Sequence, residues 1–242
     1  MQEQPARMTF SAPTLIRLLA RLTDGDAPVP ARSLSDQLSQ WLGWTDAIAL
    51  STVLKNGAMP AAGEVASSTQ DRSALFEREQ REVQRVRAAL VNAIMGQGAS
   101  SASPGRAKRG ATVPRPRDLD VDFTLHRQRY VALQHTMAQN ITPLRARLRT
   151  TLASQSPEMA KLAVMDGLME RVLDARQQSL LASVPGLLSP HFERLHASQP
   201  TDVQAPDHWI GVFRKDMNSV LLAELEIRLH PAEGLIAALR AC

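Results

Sequence analysis

Histidine, aspartate, arginine and tryptophan are the residues through which this sequence could do chemistry, and their spacing decides how far each can go. The six histidines are His126, His135, His191, His196, His208 and His230. None is paired at i,i+4 around a glutamate, so the helical zinc-protease arrangement is missing. His191 and His196 stand five apart, on different helix faces, and the expected place of all six is the surface or its rim. Asp118, Asp120 and Asp122 form the densest acidic group. A calcium loop needs a glycine and a downstream glutamate at fixed offsets, and neither follows. Three acids ahead of a helical run suit capping and the helix macrodipole instead. The one cysteine, Cys242, has no partner for a disulfide or a zinc site and no residues after it for prenylation. Glycine-rich phosphate loops, nucleophile elbows and Cys–His pairs are all missing. The expectation is a protein with no catalytic residue, no metal and no cofactor, and hence not an enzyme.

Two basic groups and one aromatic pair are candidates for binding. Arg145 and Arg149 share a helix face while Arg147 points elsewhere, and a solvated face is the expected reading. The second group holds the whole charge excess. Residues 1–96 carry ten basic and ten acidic side chains, and residues 118–242 carry thirteen and fourteen. Residues 97–117 carry Arg106, Lys108, Arg109, Arg115 and Arg117 with no acid, so this tract accounts for the net charge of +4. A nucleic-acid-binding fold usually spreads its basic face over ordered surface. The tract is therefore read as a solubilising linker, with contact to nucleic acid or anionic lipid as the alternative. It has no interleaved aromatics for base stacking. Trp41 and Trp44 stand three apart in a chain with only 4% aromatics. Core packing is the default for them; an anchor for a protein partner is the alternative, because tryptophan is enriched at interface hot spots.

The elements that must position these residues are helices. Leu, Ala, Arg and Gln are good helix formers, and strictly alternating strand patterns are absent. Leu15, Leu18, Leu19 and Leu22 make one stripe. A second helix begins after Ser33 and carries Leu34, Leu38, Trp41, Leu42, Ile48 and Val53, with Gly43 a possible break. Residues 57–69 read as a linker. Residues 70–96 form a helix with Phe76, Val83, Val86, Leu90 and Ile94 on one side. Its i,i+4 pairs Glu77–Arg81 and Arg78–Glu82 mark a solvated face. Residues 97–117, rich in Gly, Ser and Pro, cannot bury enough apolar surface to offset ordering entropy and are expected to be disordered.

From Asp118 the chain is helical again. Tyr130, Leu133, Met137, Ile141, Leu144, Leu148 and Leu152 form the next stripe, interrupted or kinked at Pro143. Ser156-Pro157-Glu158 restarts a helix. Its predicted buried stripe is Leu162, Met165, Met169, Val172, Leu173 and Leu180, with a kink at Pro185 and a continuation through Leu188, Phe192 and Leu195. The methionines fill core space. A last helix from Asp207 carries Ile210, Phe213, Met217, Val220, Leu221 and Ile227, is interrupted at His230-Pro231, and closes with Leu235, Ile236 and Leu239. The expected fold is all-α: an elongated antiparallel bundle of long amphipathic helices with an internal disordered linker. It divides into an N-terminal helical region (1–96), the basic linker (97–117) and a three-segment up-down-up bundle (118–242). The N-terminal helices pack on that bundle or form a separate unit. Residues 1–10 do not read as a secretory signal, and no apolar run approaches a membrane span, so a cytoplasmic protein is expected.

Leu38-Ser-Gln-Trp-Leu-Gly-Trp-Thr-Asp-Ala-Ile-Ala-Leu50 resembles a signature of an uncharacterised, all-helical proteobacterial family, a domain of unknown function. Asp122-Phe123 with Arg127, Tyr130, Gln134 and Met137 is similar too, as is the ending from Glu224 to Leu235. The likeness covers most of the chain, with residues 97–117 as a variable insert. That family is loosely associated with membrane proteins of the MotA/TolQ/ExbB proton-channel kind. The resemblance therefore implies an accessory role beside an envelope machine, peripheral at the inner membrane, and carries over no functional residue. Together with the residues, it points to a non-enzymatic scaffold or adaptor that binds a protein partner and could form homo-oligomers. The alternative is a nucleic-acid-associated protein acting through Arg106–Arg117.

Overall fold

The computed structural model describes residues 14–23, 41, 43–55, 69–96, 122–198 and 208–241. Among these residues every regular element is an α-helix. In chain order they are α1 (Thr14–Thr23), α2 (Trp44–Lys55), α3 (Thr69–Gly96), α4 (Phe123–Ala153), α5 (Pro157–Leu187), α6 (Ser189–Ala197) and α7 (His208–Ala241). None is long and apolar enough to cross a membrane.

The helix starts follow from local chemistry. Asp122 has extended backbone, and its carboxylate accepts from the Thr124 N–H at 2.8 Å, which opens α4. Ser156 does the same for α5, its hydroxyl oxygen accepting from the Met159 N–H at 3.3 Å, with Pro157 at the first helical position. Only the short turn Ser154–Ser156 separates α4 from α5, so the two run antiparallel. Contacts between Arg145 and Asp166 near the turn, and between Gln134 and Leu181 far from it, carry that pairing along both helices.

α4 and α7 run parallel as the central pair. Tyr130 meets Glu224 at one end, and Leu144, Leu148 and Leu152 pack with Ala232, Leu235 and Leu239 at the other. α3 runs antiparallel to both, with Arg129 donating to the Ile94 carbonyl at one end and Arg147 paired to Glu79 at the other. α1 lies on α7 and α6, and α2 lies on α5. The N-terminal helices thus pack on the C-terminal ones: Leu15, Leu22, Leu90 and Ile94 share one apolar cluster with Tyr130, Phe213 and Leu221.

Most stripes bury as their periodicity predicts. All seven residues of the α4 stripe are buried, as are Val83, Leu90 and Ile94 on α3. α5 departs from its predicted pattern. Its buried residues include Ala163, Leu168, Leu181 and Val184, while Leu162 and Leu180 are exposed. This helix packs on α4 along one side and on α2 along another, so no single stripe describes its burial.

No break falls at Pro143, and the interruption expected at His230-Pro231 is not found: α4 runs unbroken through the first proline and α7 through the second. A proline inside a helix costs roughly 3 kcal/mol, largely through a lost hydrogen bond. Ile141 and Leu144 are buried around the first, and Leu229 and Ala232 around the second. Burying one such side chain returns about 1.5–3 kcal/mol, enough to hold the helix through the defect. α5 does end near Pro185, but the break falls at Leu188, whose N–H turns back to the Pro185 and Gly186 carbonyls. Pro190 has no N–H to continue the ladder. Leu188 and Phe192 still bury as the continued pattern predicts.

Candidate functional site

Two places stand out: a buried polar network between α4 and α7, and an apolar groove between α1 and α5. The network centres on Glu224, whose side chain is 0% exposed. The Tyr130 hydroxyl donates to Oε2 at 2.8 Å, and the Gln134 amide donates to both carboxylate oxygens at 3.0 Å. Arg228, one turn along α7, donates to Oε1 from Nε at 2.8 Å and from Nη2 at 2.7 Å. The Gln134 amide also donates to the Leu181 carbonyl of α5 at 2.8 Å, so three helices meet here. Burial, and then the Glu224 charge, push the Tyr130 phenol far above its ordinary range, so it stays protonated. Both carboxylate oxygens are occupied by donors of the chain itself. The network fixes the register of α4, α5 and α7 and does not resemble a poised acid or base.

Several other ionic groups are likewise engaged. Arg145 and Arg149 share a face, as their spacing predicts, but that face is not solvated: both grip Asp166 and Glu170 of α5. Arg147 points the other way, to Glu79 of α3, which is 1% exposed. The predicted i,i+4 pairs on α3 do not form. Arg78 pairs with Glu79, Glu82 with Arg85, and Arg81 donates to the Glu77 carbonyl. Glu79 is drawn into the bundle because Arg147 approaches from α4. Two histidines also depart from the surface reading. His126 and His191 are buried, His126 against Phe192 and Phe213, and His191 within 3.0 Å of Asp216. Among the described residues, no group of three or more His, Cys, Asp or Glu side chains is placed to hold a metal ion.

The groove is a cavity of about 650 Å³. One wall is α1, through Leu15, Ile16, Leu19 and Ala20; the other is α5, mainly through Leu180, Val184 and Leu187; Ile227 of α7 also lines it. Ile16 and Leu187 are exposed, and Leu180 is 61% exposed. Trp41 closes one part, with the Arg176 guanidinium carbon 4.6 Å from its ring centroid. Trp44 faces away: it is 82% exposed, so core packing does not hold for it, and Ile48, one turn on, is 50% exposed beside it. The linker at 97–117, with Arg106, Lys108, Arg109, Arg115 and Arg117, and Cys242 lie outside the described residues.

Sequence reasoning passed over the groove. Its signal was a surplus: Leu180, Leu181, Val184, Leu187 and Leu188 are too many apolar residues for one face, which marks a helix with a second contact.

Among the described residues these features define an all-α bundle with ionic contacts between its helices and an open apolar surface between α1 and α5. The family described as "Protein of unknown function (DUF3348)" matches residues 1–241, and the chain belongs to that family. Two of the three stretches that carry the resemblance, around Tyr130-Gln134 and Glu224-Arg228, meet in the buried network. No curated protein and no solved structure matches the chain.

Proposed function

We propose that this protein is a non-enzymatic helical adaptor that receives an amphipathic helix of a partner protein in the groove between α1 and α5. One observation carries the reading. Two helical walls present aliphatic side chains at helical spacing and leave them open, with Leu180 61% exposed between them. An apolar face laid into a hydrophobic groove is a recurrent way of recognising a helix. The setting implied by the family resemblance is the cytoplasmic side of an envelope machine with a proton-channel-type membrane component.

A photo-crosslinking residue at Leu180, placed in the chain in its native cell, tests this. The expected product is a discrete adduct to one partner, lost when Ile16 and Leu187 are both changed to Asp. Labelling that the two substitutions leave unchanged would remove the groove from the mechanism.

A second reading rests on the charge segregation, five cations and no acid within residues 97–117. It expects salt-sensitive binding to nucleic acid that weakens when those five residues become Gln. Unchanged affinity in that variant would end it.

A further inference from the structure

We infer that the bundle is two rigid halves jointed at the level of Pro143 and Pro231, with Arg87 of α3 as the strap that sets the angle of the joint. The joint is independent of the adaptor reading. The buried apolar side chains of the described residues fall into two clusters. On α4 the first cluster ends at Ile141 and the second begins at Leu144, with Pro143 between them. On α7 the first ends at Leu229 and the second begins at Ala232, with Pro231 between them. Each proline lacks the N–H that would bond the carbonyl four residues back, on Gln139 and Ile227. α5 carries Gly167 at the same level, next to Asp166, which Arg145 grips from α4. Glycine weakens a helix interior through its larger loss of backbone freedom. α3 crosses this level with neither proline nor glycine, and its Val86 packs against both clusters.

Each half is stitched within itself. The first holds Tyr130, Gln134, Glu224 and the Leu181 carbonyl in the buried network, and the second holds Arg145 and Arg149 on Asp166 and Glu170. At the division lies a cavity of about 110 Å³, bordered by Thr142, Arg145, Met169, Leu173, Arg228 and Pro231. A close-packed interior resists deformation, and a void at this level leaves room for an angle to change. Arg87 works on the opposite face of α7. It donates to Glu226 at 2.8 Å and also to Glu233, two carboxylates that stand on either side of Pro231. At about 100° per residue, Glu226 and Glu233 share one face of α7, and Arg228 and Pro231 lie on the face across from it. One guanidinium thus fixes the separation of two carboxylates across the helix defect, and with it the angle of α7. Leu15, Leu181 and Val184 of the groove belong to the first cluster, so the joint carries the groove as a unit against the second half.

Hydrogen–deuterium exchange read by mass spectrometry on the full chain tests the joint. Residues 140–146, 166–173 and 228–234 are expected to exchange on the order of tenfold faster than residues 130–138, 148–152 and 217–225. Arg87→Gln should raise exchange in the first three stretches by a further factor of about ten and leave the other three within about twofold. The stretch 166–173 separates a joint from a local helix defect, because Arg87 is bound to α7 and α5 carries no proline there. Pro143→Ala/Pro231→Ala restores both N–H groups and should slow all three stretches. If Arg87→Gln does not fold, Glu226→Gln/Glu233→Gln releases the same strap and should give the same pattern. Uniform protection along α4 and α7, no change on releasing the strap, an increase spread over the whole chain, or an effect that spares residues 166–173 overturns the joint.

Discussion

Glu224→Leu tests whether the buried network holds the bundle together. In the folded chain the carboxylate accepts from the Tyr130 hydroxyl, the Gln134 amide and two nitrogens of Arg228. Leucine fits the apolar surroundings but strands the donors. The Tyr130 hydroxyl is left buried without an acceptor, and the Arg228 side chain, 12% exposed, loses its counterion. Removing one member of a buried charge pair costs about 3–5 kcal/mol, most of it the penalty on the charge left behind. In a chain of this size each kcal/mol lowers the melting temperature by roughly 2–4 °C, so a fall of about 6–20 °C is expected. Urea unfolding followed by far-ultraviolet circular dichroism gives the same quantity as a displaced midpoint. The companion variant Tyr130→Phe/Glu224→Leu/Arg228→Met removes the stranded groups and keeps Gln134, whose amide retains the Leu181 carbonyl. It should recover most of the loss, because replacing a whole buried ionic group with apolar side chains is often neutral. A loss under about 1 kcal/mol for Glu224→Leu, or a triple variant less stable than the single one, would refute the reasoning.

Tyr130 is the only tyrosine, so phenolate absorbance near 295 nm reports this residue alone. Its folded pKa lies above its ordinary 10.0, so its contribution to stability is complete below about pH 10 and declines above it; phenolate should appear only together with unfolding, and ionisation in the folded chain would contradict the burial. At the acid end Asp122, Glu158 and Glu82 are all lowered, chiefly by the Thr124 N–H, by the Glu158 backbone N–H and by the Arg85 guanidinium respectively. Their contribution is present above their ordinary values of 3.8 and 4.5 and is lost as the pH falls further, so Asp122→Ala should flatten the acid limb of a stability-against-pH curve. Arg147→Ala leaves the buried Glu79 with Arg78 alone and should cost about 1–3 kcal/mol, with faster hydrogen exchange in the first half of α3; exchange confined to α4 would be the contrary result. Trp44→Ser should change stability by less than about 0.5 kcal/mol in urea unfolding, since that ring touches mainly solvent.

The sequence by itself determined the class of fold, the α4 stripe from Tyr130 to Leu152, the capping role of the acids that end at Asp122, and the start at Ser156. Those features depend on residues three or four apart, and that periodicity and capping chemistry are written locally. The tertiary structure decided what depends on distant neighbours. Pro143 and Pro231 stay inside unbroken helices because buried side chains on either side outweigh one missing hydrogen bond. Glu79 and Glu224 are buried because Arg147, and Tyr130 with Gln134, come to them from another helix. Arg145 and Arg149 are legible as one face in the sequence, but only the placement of Asp166 and Glu170 on α5 makes that face an interface. His126 and Trp44 exchange their expected places, buried and exposed, because the packing of helices distant in sequence sets which side of each helix is covered. The groove is the furthest from the sequence: no local pattern records that α1 and α5 flank Ile227 and leave Leu180 uncovered. His126, His191, Arg145, Arg147 and Arg149 are held in contacts between helices. The surface left open is apolar, and it exists because three helices distant in sequence meet without closing.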